Sequence, residues 1–335
     1  MKAKFLMILL IGSTITIQAQ DNKVLDADEE KKITEGLQAK AEMSDSAAWK
    51  KGGNFGLNAT QTYLDNWAAG GQSSVATTGL IGLFANYISG KHAWDNTLDV
   101  AYGVLRQGDA GQWIKTDDRL DFSSKYGRKA TQHWYYSALL NFRTQFAPGY
   151  TIADGREVRD SRISDFMSPG YSLFALGMDY KPSDNFTAFI APVTLKTTYV
   201  FNQDLADAGA FGVEEASFDD LGVRTEAGKN IRNEFGGFVK LMYKKRLMEN
   251  VDFQTRLDLF SNYQNNPQNI DVNWEVLINM TINKYMQASI GTQLLYDDDI
   301  DVLRGTNTID GVETPDVGPA TQFKQVLALG FKYSF

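Results

Sequence analysis

The run that most constrains this chain is its closing one, Ala320 to Phe335. Phe323, Leu327, Leu329, Phe331, Tyr333 and Phe335 fall on alternate positions, with Lys324, Ala328, Gly330, Lys332 and Ser334 between them. Period-two alternation puts one set on each face of a strand. One face is then aromatic and aliphatic and the other small or charged, so the strand needs an apolar medium on one side and a polar one on the other. A soluble sheet gains nothing from an aromatic last residue, because terminal residues usually fray.

The same alternation recurs upstream in segments of about ten residues, the length that crosses a membrane at a tilt. They lie near 54–63, 75–88, 94–104, 120–126, 134–146, 174–180, 189–199, 235–243, 251–259, 270–280 and 286–294. In the fifth, Trp134, Tyr136, Ala138, Leu140 and Phe142 oppose Asn141 and Arg143. In the seventh, Phe189, Ala191, Val193, Leu195 and Tyr199 form the apolar side against Thr194, Lys196 and Thr198. The second is apolar on both faces and has no clear phase, and the eleventh is also poorly phased. With the closing strand the count is about twelve, an even number as antiparallel closure requires.

The links between segments alternate in length. Short ones at 89–91, 128–131, 181–185, 248–250 and 283–284 are interleaved with long ones at 65–72, 107–116, 148–169, 203–233, 264–269 and 297–320. Short periplasmic turns alternating with long external loops mark a membrane barrel, and a soluble sandwich has no reason to keep that order. Tyr87, Trp94, Tyr126, Trp134, Tyr180, Tyr243, Tyr285 and Tyr333 all fall beside the short turns or the carboxy-terminus. That is one interfacial girdle. A mean hydropathy of -0.31 is no objection, because lumen-facing positions and loops dilute the lipid-facing ones.

Upstream, Met1 to Gln20 reads as a cleaved secretory signal: Lys2 and Lys4, an apolar run from Phe5 to Ile17, then Ala19 at a plausible cleavage point. The run is too short for a spanning helix of ~20 residues. Residues 21–48 form a charged, partly helical periplasmic tail, with plug and docking arm as the other readings. The barrel itself occupies 49–335. The closing Phe331, Tyr333 and Phe335 are similar to the signal by which outer-membrane barrels are recognised by the insertion machinery.

A series of motifs carries a family resemblance. They are Leu64-Asp65-Asn66-Trp67-Ala68-Ala69-Gly70-Gly71, Asp118-Arg119-Leu120, Ser124-Lys125-Tyr126-Gly127 and Thr144-Gln145-Phe146-Ala147-Pro148-Gly149-Tyr150. Ser164-Asp165-Phe166, Gly209-Ala210-Phe211-Gly212-Val213-Glu214, Leu259-Phe260-Ser261-Asn262-Tyr263 and Asp271-Val272-Asn273-Trp274 follow. From Trp49 onward the chain resembles the Bacteroidetes-type domain-of-unknown-function 3078 family of exported proteins. The resemblance implies an outer-membrane setting in a Gram-negative bacterium and supplies no catalytic or binding residues.

The concentrated polar set lies on the inward faces. Acids are Asp95, Asp99, Asp121, Glu234, Asp252, Asp258, Asp271 and Glu275; bases are Lys125, Arg143, Lys196, Lys240, Lys244, Arg256, Lys324 and Lys332. In hydrocarbon these charges would be costly, so they face the lumen. Two readings stay open. They pair and fill a narrow interior, or they line a hydrated path with a transverse field. Asp99, Arg143, Lys196, Lys240, Arg256, Asp258 and Glu275 are the expected pore-lining residues.

Catalysis is not expected. The histidines are His92 and His133, both beside short turns. A lipid hydrolase drawn on His133, Ser137 and Asn141 places groups four apart on one strand ~13 Å apart, beyond hydrogen-bonding reach. Asp297, Asp298, Asp299 and Asp301, with Asp310 and Glu313, form an acidic external loop without the spacing of a calcium-binding EF-hand. No cofactor is expected, and the absence of cysteine excludes thiolate metal sites and disulfides. A net charge of -8 disfavours nucleic acid. Outer-membrane lipid is the expected partner, with an envelope protein docking through the tail or the external loops as a further one. The expectation is thus an all-β transmembrane barrel that acts as a narrow channel for small polar solutes, porin-like, or as a structural subunit of an envelope complex.

Overall fold

The structure, a computed structural model, describes residues 48–64, 72–108, 111–153, 155–283, 285–309 and 312–334. The signal segment, nearly all of the tail, the 65–71 part of the Leu64–Gly71 motif, Asp310 and Phe335 lie outside them. The elements in chain order are β1 (Ala48–Thr62), β2 (Ser74–Ser89), β3 (His92–Gln107), β4 (Trp113–Lys129), β5 (Trp134–Thr144), β6 (Gly149–Ala153), β7 (Arg156–Ser164), β8 (Gly170–Ser183), β9 (Phe186–Tyr199), the one-turn helix α1 (Gln203–Asp207), β10 (Ser217–Phe218) and β11 (Arg224–Glu226). Then come β12 (Ile231–Met248), β13 (Val251–Asn262), β14 (Asp271–Asn283), β15 (Met286–Tyr296), β16 (Asp301–Ile309), β17 (Val312–Pro319) and β18 (Gln322–Ser334).

Twelve of these strands close an antiparallel barrel in the order β1-β18-β15-β14-β13-β12-β9-β8-β5-β4-β3-β2. Neighbours in space are neighbours in sequence, apart from the closure of β18 on β1. That seam is short. Five positions pair, from Asn54 opposite Ser334 to Asn58 opposite Gly330, whereas β1 and β2 pair from Ala48–Ile88 to Thr62–Ser74. Closure joins the last strand to the first, which is the condition for strands to cross a lipid bilayer.

Alternation decides what each face meets. Phe55, Leu57, Phe174, Leu176, Leu195, Phe235, Trp274, Phe323, Leu327 and Phe331 point outward and stay exposed. Asn54, Asp95, Ser137, Asp179, Glu234, Asn279 and Gln293 point inward and are buried. The structure also settles the phase of β2. Val75, Ile81 and Leu83 are exposed on the outside, while Leu80 and Asn86 are buried inside.

One strand departs from the expected phase. Phe189 and Ala191, expected on the lipid side with Leu195, are buried in the interior at 2% and 1% exposure. The ladder slips here. Leu176 pairs with Val193 but Met178 pairs with Ile190, and on the other side Gly236 pairs with Thr194 but Phe238 with Ala191. The slip encloses Pro192, which has no N–H for a ladder and so sits at a bulge. One extra residue inverts the faces below it. Gly177 accommodates the bulge, because a Cβ there would collide with the Ile190 carbonyl.

The short connections all lie at one end: β2–β3, β4–β5, β8–β9, β12–β13 and β14–β15. In the first, Gly90 takes φ +54°, open to glycine at no steric cost. The girdle rings lie beside this end, with Trp49–Tyr87 centroids 5.2 Å apart, Trp49–Trp94 5.9 Å and Trp134–Tyr180 4.7 Å. In outer-membrane barrels the short turns face the periplasm. Three of the long connections at the other end have secondary structure of their own. They carry the hairpins β6–β7, β10–β11 and β16–β17. The link between β9 and β12 builds its own small core from Val200, Leu205, Ala206 and Val213. Asn202 caps α1 by accepting from the Leu205 N–H, and its own N–H donates to Ser168 Oγ at 2.8 Å.

Candidate functional site

The lumen is where the strands gather chemistry, and its charges sort into three groups along the strands. Near the short turns, Asp179 of β8 receives Lys125 of β4 at 2.7 Å and Lys181 at 3.9 Å, and Ser137 Oγ donates to it at 3.3 Å. Lys181 also sits 5.2 Å over the Tyr135 ring.

At mid-barrel, Asp121 of β4 accepts Arg143 of β5 at 3.2 Å and Asn141 at 2.7 Å. Arg256 of β13 binds Glu275 of β14 at 2.5 Å and Asp258 at 3.5 Å, and Lys240 of β12 reaches Asp258 at 3.7 Å. Asp121 also lies within electrostatic reach of Arg256 on the facing wall. Asp99 stands opposite Asp121 in the β3–β4 register. These charges are paired but not sealed. Side-chain exposure is 28% for Arg143, 26% for Glu275 and 25% for Lys240.

Toward the long loops, Lys196 of β9 gathers Asp271 at 2.7 Å, Asp297 at 3.2 Å and Glu234 at 3.5 Å. Arg232 bridges Glu234 at 2.8 Å and Asp299. The acidic loop is therefore folded inward onto two cations. Asp271, Asp297 and Asp298 come close enough together to resemble a cation site, but the Lys196 ammonium already balances two of them.

An apolar cluster links the groups: Leu139, Ala175, Phe189, Ala191, Phe238 and Phe260, from β5, β8, β9, β12 and β13. Each phenylalanine carries a lysine on its ring. Lys125 lies 5.9 Å from the Phe189 centroid, Lys240 5.6 Å from Phe238 and Lys196 5.1 Å from Phe260. Ring faces attract cations, so this arc is apolar and charged at once.

Of the seven residues expected to line a pore, Arg143, Lys240, Arg256, Asp258 and Glu275 fall in the mid-barrel group, Lys196 in the loop-side one, and Asp99 stands opposite Asp121. Missed were Asp179, Lys181, Arg119 and Arg232. The parity of Asp179 is legible, since it stands between Met178 and Tyr180, whereas Arg119, Lys181 and Arg232 fall outside the alternating segments. The hydrolase set is not brought together. Ser137 bonds Asp179, Asn141 bonds Asp121, and the His133 ring packs edge-on against Tyr180 at 6.5 Å. Phe331 and Tyr333 point outward on β18 with 63% and 64% exposure.

Among solved structures the chain is similar to an outer membrane channel from Pseudomonas putida F1, at 12% identity over 88% of this chain and 98% of that one, with a TM-score of 0.37. It is similar to the translocator domain of the autotransporter NalP from Neisseria meningitidis, at 9% identity over 92% and 96%, TM-score 0.36. A third is the beta domain of the Bordetella autotransporter Brka, at 12% identity over 87% and 100%, TM-score 0.33. All three are likenesses of barrel to barrel, and no role comes from them. No curated protein matches the chain in sequence. A family model does: residues 59–150, from β1 to β6, match the family described as protein of unknown function DUF3078.

Proposed function

We propose that this outer-membrane barrel is a narrow channel for small polar solutes. The observation behind the reading is the mid-barrel belt. Asp121, Arg143, Lys240, Arg256, Asp258 and Glu275 face the lumen in opposed pairs and still keep 17–28% of their side-chain surface open. A purely structural filling would gain by sealing such pairs or replacing them with apolar residues. Charges of both signs across a narrow hydrated gap make a transverse field that favours dipolar over singly charged solutes. In this reading the leader directs export, the machinery that inserts barrels recognises the last strand, and the protein resides in the outer membrane of a Gram-negative bacterium.

The test is single-channel conductance of the refolded mature protein in a planar bilayer, with and without residues 21–46. Stable steps are expected, with selectivity moving toward cations when Arg143→Ala and Arg256→Ala are combined. Silence in both forms, with folding confirmed by heat-modifiable gel migration, would overturn the channel.

One observation favours a second reading, a structural or assembly subunit of an envelope complex. The β10–β11 hairpin projects Phe218, Leu221 and Val223 at 59%, 88% and 60% exposure from an otherwise packed loop. Deleting 217–226 is then expected to release a co-purifying envelope partner while the barrel still folds.

A further inference from the structure

The outer surface of β1 to β4 at the short-turn end carries a charge pattern that the lumen does not explain. Trp49, Tyr87, Trp94 and Tyr126 stand directly opposite one another in the strand registers and form one continuous row of rings. One row toward the turns, His92 stands opposite Arg128. One row toward the membrane, Lys51, Ala85, Asn96 and Ser124 stand in line. The next row in is Gly53, Leu83, Leu98 and Phe122, which is hydrocarbon-facing.

The polar groups under the rings are organised. Trp94 Nε1 donates to Ser124 Oγ at 2.9 Å, Ser124 Oγ donates to Asn96 Oδ1 at 2.8 Å, and Asn96 Nδ2 donates to the Ala85 carbonyl at 3.0 Å. His92 Nδ1 lies 2.5 Å from the Tyr126 hydroxyl. The Lys51 ammonium sits 5.6 Å over the Trp49 ring, an outward cation held at the edge of the hydrocarbon. Lys51, Lys91, Arg128 and Lys129 all cluster at this end, whereas 48–53, 83–90 and 122–130 contain no acidic residue. Asp95, the acid within 91–98, faces inward with 6% exposure. The β12–β13 turn differs, because there Arg246 is matched by Asp252 at 3.2 Å.

Cations with no acidic partner among the described residues, above and below a ring row at the interface, call for an anion that is itself at the interface. We propose that this face binds the phosphodiester headgroup of an anionic phospholipid of the periplasmic leaflet. Lys51 and Arg128 supply the charge, Trp49, Trp94 and Tyr126 frame the headgroup, and Leu83, Leu98 and Phe122 receive the acyl chains. The site needs the barrel in its membrane but not an open lumen.

The experiment uses the refolded mature barrel in mixed micelles containing either phosphatidylglycerol or phosphatidylcholine of identical chains, with retained lipid counted by native mass spectrometry. Preferential retention of phosphatidylglycerol is expected. Its ratio to phosphatidylcholine should fall roughly fivefold for each cation removed in Lys51→Gln and Arg128→Gln. Lys245→Gln, on the β12–β13 arc, should leave it unchanged. Equal retention of the two lipids by the unaltered protein would overturn the proposal whether or not the variants fold. So would a ratio that survives the double substitution, or one that falls equally in Lys245→Gln.

Discussion

Two walls of the same barrel satisfy their inward polar groups by different means. β15, β18, β1 and β2 contain no acidic residue. Their interior is mostly amide, hydroxyl and glycine, with Leu80 and Lys324 among them. Asn54 Oδ1 accepts from the Gly82 N–H at 3.0 Å, Gln287 donates to Asn279 at 2.8 Å and Gln293 donates to Asn273 at 3.0 Å. Asn54, Gln287, Ser289 and Gln293 are buried to 6% exposure or less. A small cavity of about 20 Å³ here is lined in part by Asn54, Leu80, Gln287 and Ser289. The remaining eight strands carry the acids, the ion pairs and the phenylalanine cluster. Neutral amides lose little when paired and sealed, whereas ions lose several kcal/mol each on leaving water. In the channel reading, the path would run along the charged side.

The sharpest way to break this comparison is to leave one wall's charge unbalanced. Lys196→Ala strands Glu234, Asp271 and Asp297 together and is expected to destabilise the barrel by about 3–5 kcal/mol, read from urea unfolding in lipid vesicles. The same substitution in Lys324, on the neutral wall, should have a much smaller effect.

Phe189→Ala separates interior from exterior on the charged side. It is expected to lose roughly 3 kcal/mol in the same assay through the cavity left beside Leu139 and Phe238. Lipid can fill the space left by the outward Phe174→Ala, which should lose markedly less. Equal losses would mean that Phe189 does not pack inside.

The neutral wall is sharpened by adding volume. A Cβ on Gly82 would approach Asn54 Oδ1 to 2.7 Å. Gly82→Ala is expected to destabilise by about 1–2 kcal/mol by overpacking. Asn54→Ala in the same chain should recover part of that loss, giving a coupling energy in a double-mutant cycle.

The smallest effect lies outside the membrane. Hydrogen bonds from Gln203 Nε2 at 2.6 Å and from the Gly228 N–H at 2.8 Å, with the Arg224 guanidinium, hold the Asp207 carboxyl below the usual carboxylate range. A lowered folded-state value stabilises the loop above the unfolded value of about 4, and that contribution is lost as pH falls through the folded one. Proteolysis within 217–226 is therefore expected to speed up in acid, and Asp207→Asn should flatten that dependence.

Much of this architecture could be read from residues alone. Alternation along 94–104, 134–146 and 270–280, the order of short and long links, and the aromatic row beside the short turns are all local in the chain, and each predicts strand, face or end by itself. The phase of β9 could not be read, because Pro192 permits a slip whose position depends on Gly177 and Gly236 in the neighbouring strands. Lys196 with Asp297 was equally hidden, since those residues are 101 positions apart and meet only once the loop after β15 folds inward.

The sequence by itself determined that this chain is a barrel of about twelve strands, which face of most strands meets lipid, and which end carries the girdle. Those properties follow from a two-residue period that the backbone enforces locally. Only the tertiary structure decided which inward charge meets which, and that β15, β18, β1 and β2, which carry no acid, stand together as one wall. Pairing across a lumen depends on closure, tilt and one bulge, and none of these is a property of any single segment.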